Sequence, residues 1–277
     1  MSSPDLVTTF LDYAERDRRR SPHTLARYRT VLANISEHGD LASMDLIDVD
    51  SWWDSRMEIV DKDGIRPRSG ASRANELACA RAFFRWATKY DHRPDDPTRR
   101  LEFPGVENHV PRAIGQSDLE RLLGPLTADA LDLRRAVALG TYAGMRVSEA
   151  AELQWKDVDT EAHRIYVRGK GRKERVTGLH PILLDKILPM TGGNVVAAGG
   201  HPYTGAVLQR KVNRLMARNE IAHTFHDCRK RGVTLALARG MNPEAVRQVF
   251  GWSSMQTVTH YAVVGSEELD KIAEAMI

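Results

Sequence analysis

Between Arg93 and Pro111 the helical periodicity of the chain stops, and Pro94, Pro97, Pro104, Gly105 and Pro111 gather in that stretch. Proline fixes φ and withholds a backbone donor, so regular structure does not run through such a segment, and its composition is that of a semi-rigid linker. A chain of 277 residues leaves enough sequence on either side for a domain that buries its own core. The expected organisation is a domain over residues 1–93, a linker over 94–111 and a second domain over 112–277.

The first half reads as helices. Ser21-Pro22-His23-Thr24 is a helix start, with Ser21 as cap and Pro22 at the first helical position, followed by Leu25, Tyr28, Val31, Leu32 and Ile35 at helical spacing. An earlier helix carries Leu6, Phe10, Leu11 and Tyr13. A later one, starting near Ser69 or Ser72, carries Leu77, Ala80, Phe83, Phe84 and Trp86. These are core stripes, and they predict a small helical bundle. Arg16, Arg18, Arg19, Arg20, Arg27 and Arg29 lie beside them, but acids balance bases over residues 1–100.

Downstream, Ser117 is a candidate cap with Glu120 in the box position, and a Leu- and Ala-rich helix is expected over roughly Asp129 to Ala143. Alternation in Arg164-Ile165-Tyr166-Val167-Arg168 and in Arg175-Val176-Thr177-Gly178-Leu179 predicts two strands joined by a turn containing Gly169 and Gly171, with Lys170 at the hairpin. From Thr204 the pattern is helical again. Leu208, Val212 and Leu215 form an apolar stripe, and Arg210, Arg214 and Arg218 recur every fourth residue on another face. The fold class is thus mainly α with a small β-sheet.

No apolar run approaches the length that spans a bilayer, and Ser2, Ser3, Pro4 and Asp5 do not begin a secretory signal. Cys79 and Cys228 make at most one disulfide and lack metal-ligand spacing, which fits a reducing cytosol. A net charge of +3 says little about partners, but its distribution says more. Arg164, Arg168, Lys170, Arg172, Lys173 and Arg175 face one acid, Glu174. A second concentration runs from Arg210 through Lys211, Arg214 and Arg218 to Arg229, Lys230 and Arg231. One such run is ordinarily a solvated face; two in one domain favour a phosphate-facing surface. The DNA-contacting candidates are Arg27 and Arg85 in the first domain and Arg168, Arg172, Lys173, Arg210 and Arg214 in the second.

Six residues of the second half have the chemistry to break and rejoin a phosphodiester: Arg146, Lys170, His226, Arg229, Trp252 and Tyr261. Singly each is ordinary. An Arg near Glu149 commonly pairs locally or snorkels, a Lys in a glycine turn is commonly solvated, and a Trp is commonly core. Together they make a set. A guanidinium presents paired donors matched to phosphate oxygens and stays charged at any working pH. If a helix starts near Thr224, His226 and Arg229 share its face beside an anion-favouring N-terminus. Two arginines on one phosphate offset the charge of a five-coordinate transition state. A lysine on a hairpin can protonate the leaving alkoxide. The Trp252 indole can donate a hydrogen bond but cannot exchange a proton. The Tyr261 phenol must lose its proton to attack, helped by surrounding positive charge. His260 beside it is read as structural or solvent-facing.

The motifs Ala143-Gly144-Met145-Arg146-Val147-Ser148-Glu149, Gly169-Lys170-Gly171, His226-Asp227-Cys228-Arg229 and Gly251-Trp252, nine residues before Tyr261, resemble those of the tyrosine recombinase (phage integrase) family. The match in order and spacing extends from about Asp5 to the C-terminus. The resemblance implies a helical, SAM-like core-binding domain joined to a catalytic domain, the two closing on duplex DNA as a clamp. It leaves no room before Asp5 for the arm-binding domain of larger phage integrases. It assigns phosphate binding to Arg146 and Arg229, support of the site to Glu149, hydrogen bonding and proton management to His226, general acid to Lys170 and nucleophile to Tyr261. Trp252 stands where most members have His, and Lys230 replaces the His that commonly follows the second Arg.

The reaction implied is attack by Tyr261 to give a 3′-phosphotyrosyl link and a free 5′-hydroxyl. One phosphoester replaces another, so neither ATP nor a metal is required. Four protomers on two double-stranded DNA sites would exchange strands through a Holliday junction, in phage or mobile-element integration and excision, with an accessory directionality factor as an optional partner. Ser266-Glu267-Glu268 can start a last helix bearing Leu269, Ile272, Ala273 and Met276, which in the family commonly docks on a neighbouring protomer. Alternatives remain: a chromosome dimer-resolving Xer-like recombinase, a type IB topoisomerase, or a DNA-binding regulator without chemistry. The sequence leaves the target site and the direction of recombination open.

Overall fold

The computed structural model describes residues 3–61, 64–105, 113–124, 130–169, 174–183, 193–259 and 261. The chain forms two compact units, Met1–His109 and Val110–Ile277, so the division falls within the proline-rich stretch.

The first unit contains helices α1 (Ser3–Arg16), α2 (Pro22–Ser36) and α3 (Leu46–Ser55), a hairpin of β1 (Glu58–Asp61) and β2 (Gly64–Pro67), and helix α4 (Gly70–Lys89). Ser21 caps α2 by accepting from the Thr24 N–H, with Pro22 at the first helical position. Ser69 caps α4. Asp45 and Asp48 make a reciprocal box at the start of α3. Helix α4 packs on α1 and α2, and their apolar stripes meet in a core containing Leu6, Phe10, Tyr28, Leu32, Leu77, Phe83 and Phe84. The Phe10 and Phe83 rings meet edge to face with centroids 5.4 Å apart. Neither α3, with its buried Trp52 and Trp53, nor the β1–β2 hairpin was expected from the sequence.

The segment after α4 is not free of this core. Buried Arg93 donates to the Leu41 and Met44 carbonyls, at 2.7 Å each, and Thr98 and Leu101 are buried. Backbone acceptors left open between α2 and α3 are satisfied by that arginine, which ties the start of the proline-rich stretch to the bundle.

The second unit contains α5 (Gln116–Leu123), α6 (Leu131–Tyr142), α7 (Val147–Glu152), a short 3₁₀ turn (Trp155–Asp157), and the antiparallel strands β3 (Val158–Asp159), β4 (Arg164–Arg168) and β5 (Glu174–Gly178) in that spatial order. A two-residue pair, β6 (Ala197–Ala198) and β7 (His201–Pro202), follows, then α8 (Gly205–Arg218), α9 (Phe225–Ala238), α10 (Pro243–Val249) and α11 (Met255–Thr259). The expected hairpin is present with Ile165 opposite Thr177, and β3 adds a third strand. Ser117 is not a cap: α5 begins one residue before it, after Gly115, and Glu120 accepts from the Gln116 side chain.

Helices α6 and α9 form the centre of this unit. Their backbones approach closely because Gly232 has no side chain. A Cβ there would lie 2.2 Å from the Thr141 carbonyl oxygen. Cys79 and Cys228 are unpaired buried thiols, one in each unit's core. Among the described residues no helix is long and apolar enough to cross a membrane.

Candidate active site

Arg146 lies at the start of α7, two residues after Gly144, whose φ of +61° turns the chain out of α6. That turn admits only glycine, since a Cβ at Gly144 would sit 2.5 Å from the Phe250 ring. Glu149, one turn along α7, accepts from the Arg146 backbone N–H at 2.7 Å and from its Nη1 at 2.8 Å. Arg146 remains 42% exposed.

Helix α9 starts where the sequence placed it, with Asp227 accepting from both the N–H and the hydroxyl of Thr224. His226 and Arg229 therefore share its first turns. Arg229 is 1% exposed, and its two terminal nitrogens donate to the carbonyls of Gly144 and Phe250. Its guanidinium carbon lies 5.2 Å from the centroids of both Phe250 and Trp252. Burial, and next the charge of Arg146, lower its pKa to about 9, so it is still a cation at neutral pH. Desolvation, followed by the charges of Lys230 and Arg229, lowers the pKa of His226 and favours its neutral form.

The end of α10 organises these groups. Val249, Phe250 and Gly251 close the helix, with Gly251 at φ +62°, and their carbonyls would be orphan acceptors at a negative dipole end. Three arginines from different elements take them. Arg175 of β5 bonds Val249, Arg229 bonds Phe250, and Arg146 bonds Gly251. The next residue, Trp252, stacks on Tyr261 with centroids 5.2 Å apart and planes 10° from parallel. Tyr261 is 9% exposed and lies near Arg229.

Among the described residues, Glu149 is the one carboxylate paired to this trio of arginines, which leaves a surplus of positive charge. Such a cluster suits an anion with several oxygens. The structure thus brings Arg146, Glu149, His226, Arg229, Trp252 and Tyr261 into one neighbourhood. Lys170, Arg172 and Lys173 lie outside the described residues, as do His260 and the proposed terminal helix.

The DNA-contact candidates fall elsewhere. Arg27 is exposed on α2, beside a groove also lined by His23, Arg68 and Asn75. Arg85 is 70% exposed and 3.9 Å from Asp96. Arg168 pairs with Asp157, whereas Arg210 and Arg214 are exposed on α8.

The sequence marks Arg175 as part of a basic run and of a strand, and the structure adds a place in the site. Its side chain is 11% exposed and grips both Glu149 oxygens at 2.8 Å. Strand alternation could have signalled this, because Arg175 stands two residues from the buried Thr177 on the same strand face.

Two family models match the chain: the phage integrase family over residues 112–268, and the phage integrase N-terminal SAM-like domain over residues 7–90. The chain belongs to the phage integrase family. Membership makes the enzyme class that of the tyrosine-type site-specific DNA recombinases. The tyrosine recombinase XerC of Rhodospirillum centenum is 28% identical over 291 residues, covering 95% of this chain and 83% of its own length. XerC of Escherichia coli O139:H28 is 32% identical over 179 residues, covering 61% of this chain and 57% of its own length. A lambda integrase tetramer bound to a Holliday junction shares the fold, with a TM-score of 0.76 at 16% identity over 95% of this chain and 78% of that one.

Proposed function

We propose that this phage integrase family member cleaves and rejoins specific double-stranded DNA sites through a 3′-phosphotyrosyl intermediate and a Holliday junction, in integration or excision of a phage or other mobile element. The observation that carries the reading is the convergence of Arg146, Arg229 and the Trp252–Tyr261 stack on the end of α10. In this scheme the two guanidiniums hold the non-bridging oxygens of the scissile phosphate. The Tyr261 oxygen, losing its proton, attacks phosphorus, and the bond to the 5′-oxygen breaks. Lys170 gives that oxygen a proton. Trp252 donates its indole N–H to the phosphate, and His226 supplies hydrogen bonding and proton management. Reversal by a 5′-hydroxyl from the other duplex rejoins the strand.

We assign the duplex clamp to a helical domain over residues 1–93, with Arg27 and Arg85 as contacts, and a catalytic domain over 112–277 joined by residues 94–111. Arg168, Arg172, Lys173, Arg210 and Arg214 serve as further phosphate contacts. Four protomers act together on DNA in the host cell, an arrangement supported by the lambda integrase tetramer. The XerC names of the relatives support a second reading, chromosome dimer resolution by the same chemistry.

The test is covalent capture from a pool of duplexes with a randomised core, nicked so that the fragment bearing the freed 5′-hydroxyl diffuses away. Wild type should yield a covalent adduct at one selected sequence, and Tyr261→Phe should keep DNA affinity while yielding none. An adduct that survives the substitution, or none from wild type, defeats the reading. Where the selected sequence lies in the host genome, at mobile-element ends or at one chromosomal site, separates the two roles.

A further inference from the structure

We propose that Arg175 is a positioning residue of this site: by gripping Glu149 with both terminal nitrogens and the Val249 carbonyl with Nε, it fixes the orientation in which Arg146 meets the phosphate. The inference rests on the recombinase reading and extends it to a residue outside the catalytic set.

The geometry is that of a closed relay. Glu149 is 6% exposed, and each of its oxygens serves both arginines. Oε1 accepts from Arg146 Nη1 and Arg175 Nη1, each at 2.8 Å. Oε2 accepts from the Arg146 backbone N–H at 2.7 Å and from Arg175 Nη2 at 2.8 Å. Arg146 is a long, half-exposed side chain, and its anchors are Glu149 and the Gly251 carbonyl.

Arg175 controls both anchors. It orients the carboxylate from one side, and from the other its Nε bonds Val249 at 2.8 Å while its stem packs where a Gly251 Cβ would be, 3.1 Å from that position. A planar fork is required for this double grip. A lysine in its place can reach one oxygen but cannot bond the two oxygens and the carbonyl together. Among the described residues Arg175 makes no hydrogen bond to Tyr261 or Trp252, and its hydrogen bonds go to Glu149 and the turn.

Three cations face Glu149: Arg146 from the start of α7, Arg175 from β5 and Arg229 from α9. Burial favours the protonated acid, and the hydrogen bonds of Arg175 are the foremost opposing influence. Without them the carboxylate takes up a proton at higher pH and releases Arg146.

The experiment measures single-turnover adduct formation, at saturating protein, on the nicked duplex that wild type selects from the randomised pool. Arg175→Gln should slow cleavage by about 100-fold, the scale of a small misplacement of a reacting group. Its duplex affinity should stay within about threefold of wild type, because the Nε, Nη1 and Nη2 atoms of Arg175 are each already bonded to Val249 or Glu149. Its rate should also begin to fall at a higher pH than the wild-type rate does, because the Glu149 carboxyl then takes up its proton more readily. Arg175→Lys should recover part of the rate. Gln and Lys variants that match wild type in rate and pH profile overturn the inference.

If the Gln variant does not fold by near-UV circular dichroism, the Lys variant decides. A folded Lys variant with wild-type rate and pH profile defeats the positioning role, and a slower, acid-sensitive one supports it. A wild type that forms no adduct removes the recombinase reading and this inference with it, whereas an active wild type with indifferent variants removes only the inference.

Discussion

Burial alone would push the Glu149 carboxyl above the ordinary carboxylate range. Hydrogen bonds from Arg175 and the Arg146 backbone, with the charges of both side chains, outweigh it and bring the pKa down to about 2 from 4.5. A depressed acid contributes stability that is fully present above its unfolded pKa and is lost as pH falls through the folded value. The window here runs from about 4.5 down to about 2. The contribution is about 3 kcal/mol, of which about 2 kcal/mol is gone by pH 3. Glu149→Gln should therefore be less stable than wild type at pH 7 in urea unfolding, and the gap should narrow at pH 3; a gap independent of pH refutes the assignment. Arg146, Glu149 and Arg229 were legible because short motifs mark them. Arg175 was marked only by strand alternation, which puts it on the face of Thr177, because a run of cations looks alike whether it faces solvent or a carboxylate brought in from another element.

Helices α6 and α9 cross at Gly232, and this contact sets Thr141, just before the Gly144 turn, against the helix bearing His226 and Arg229. Gly232→Ala gains about 1 kcal/mol of helix propensity. It must also move the Thr141 carbonyl away from a Cβ at 2.2 Å, with the Phe250 ring only 3.4 Å off. Overpacking a tight contact costs about 1–3 kcal/mol, so the net effect should be destabilising. The expected result is a lower urea midpoint with unchanged slope; a higher midpoint would mean that the helices separate without cost. Periodicity and capping made α1, α2, α4, α8 and the β4–β5 hairpin readable. Strand β3 escaped because two residues offer no period to detect, whereas α3, ten residues long with Val49, Trp52 and Trp53 at helical spacing after the Asp45 box, carried a legible signal.

At the scale of the whole molecule, the hypothesis to test is that the segment after Val264 holds the proposed tetramer together. Removing it should abolish strand exchange and tetramer formation on DNA while leaving simple duplex binding measurable by gel shift and sedimentation; unchanged recombination by the truncated chain excludes that role. The sequence by itself determined the helical class, the break between the two units and most of the residues that gather at the end of α10, because hydropathy spacing, proline content and short motifs are local properties of the chain. Tertiary structure alone decided that Arg229 lies against two aromatic rings, that three arginines share the carbonyls ending α10, and that Tyr261 stacks on Trp252. Those partners are distant along the chain, and only the packing of α7, β5, α9 and α10 satisfies their buried polar groups together.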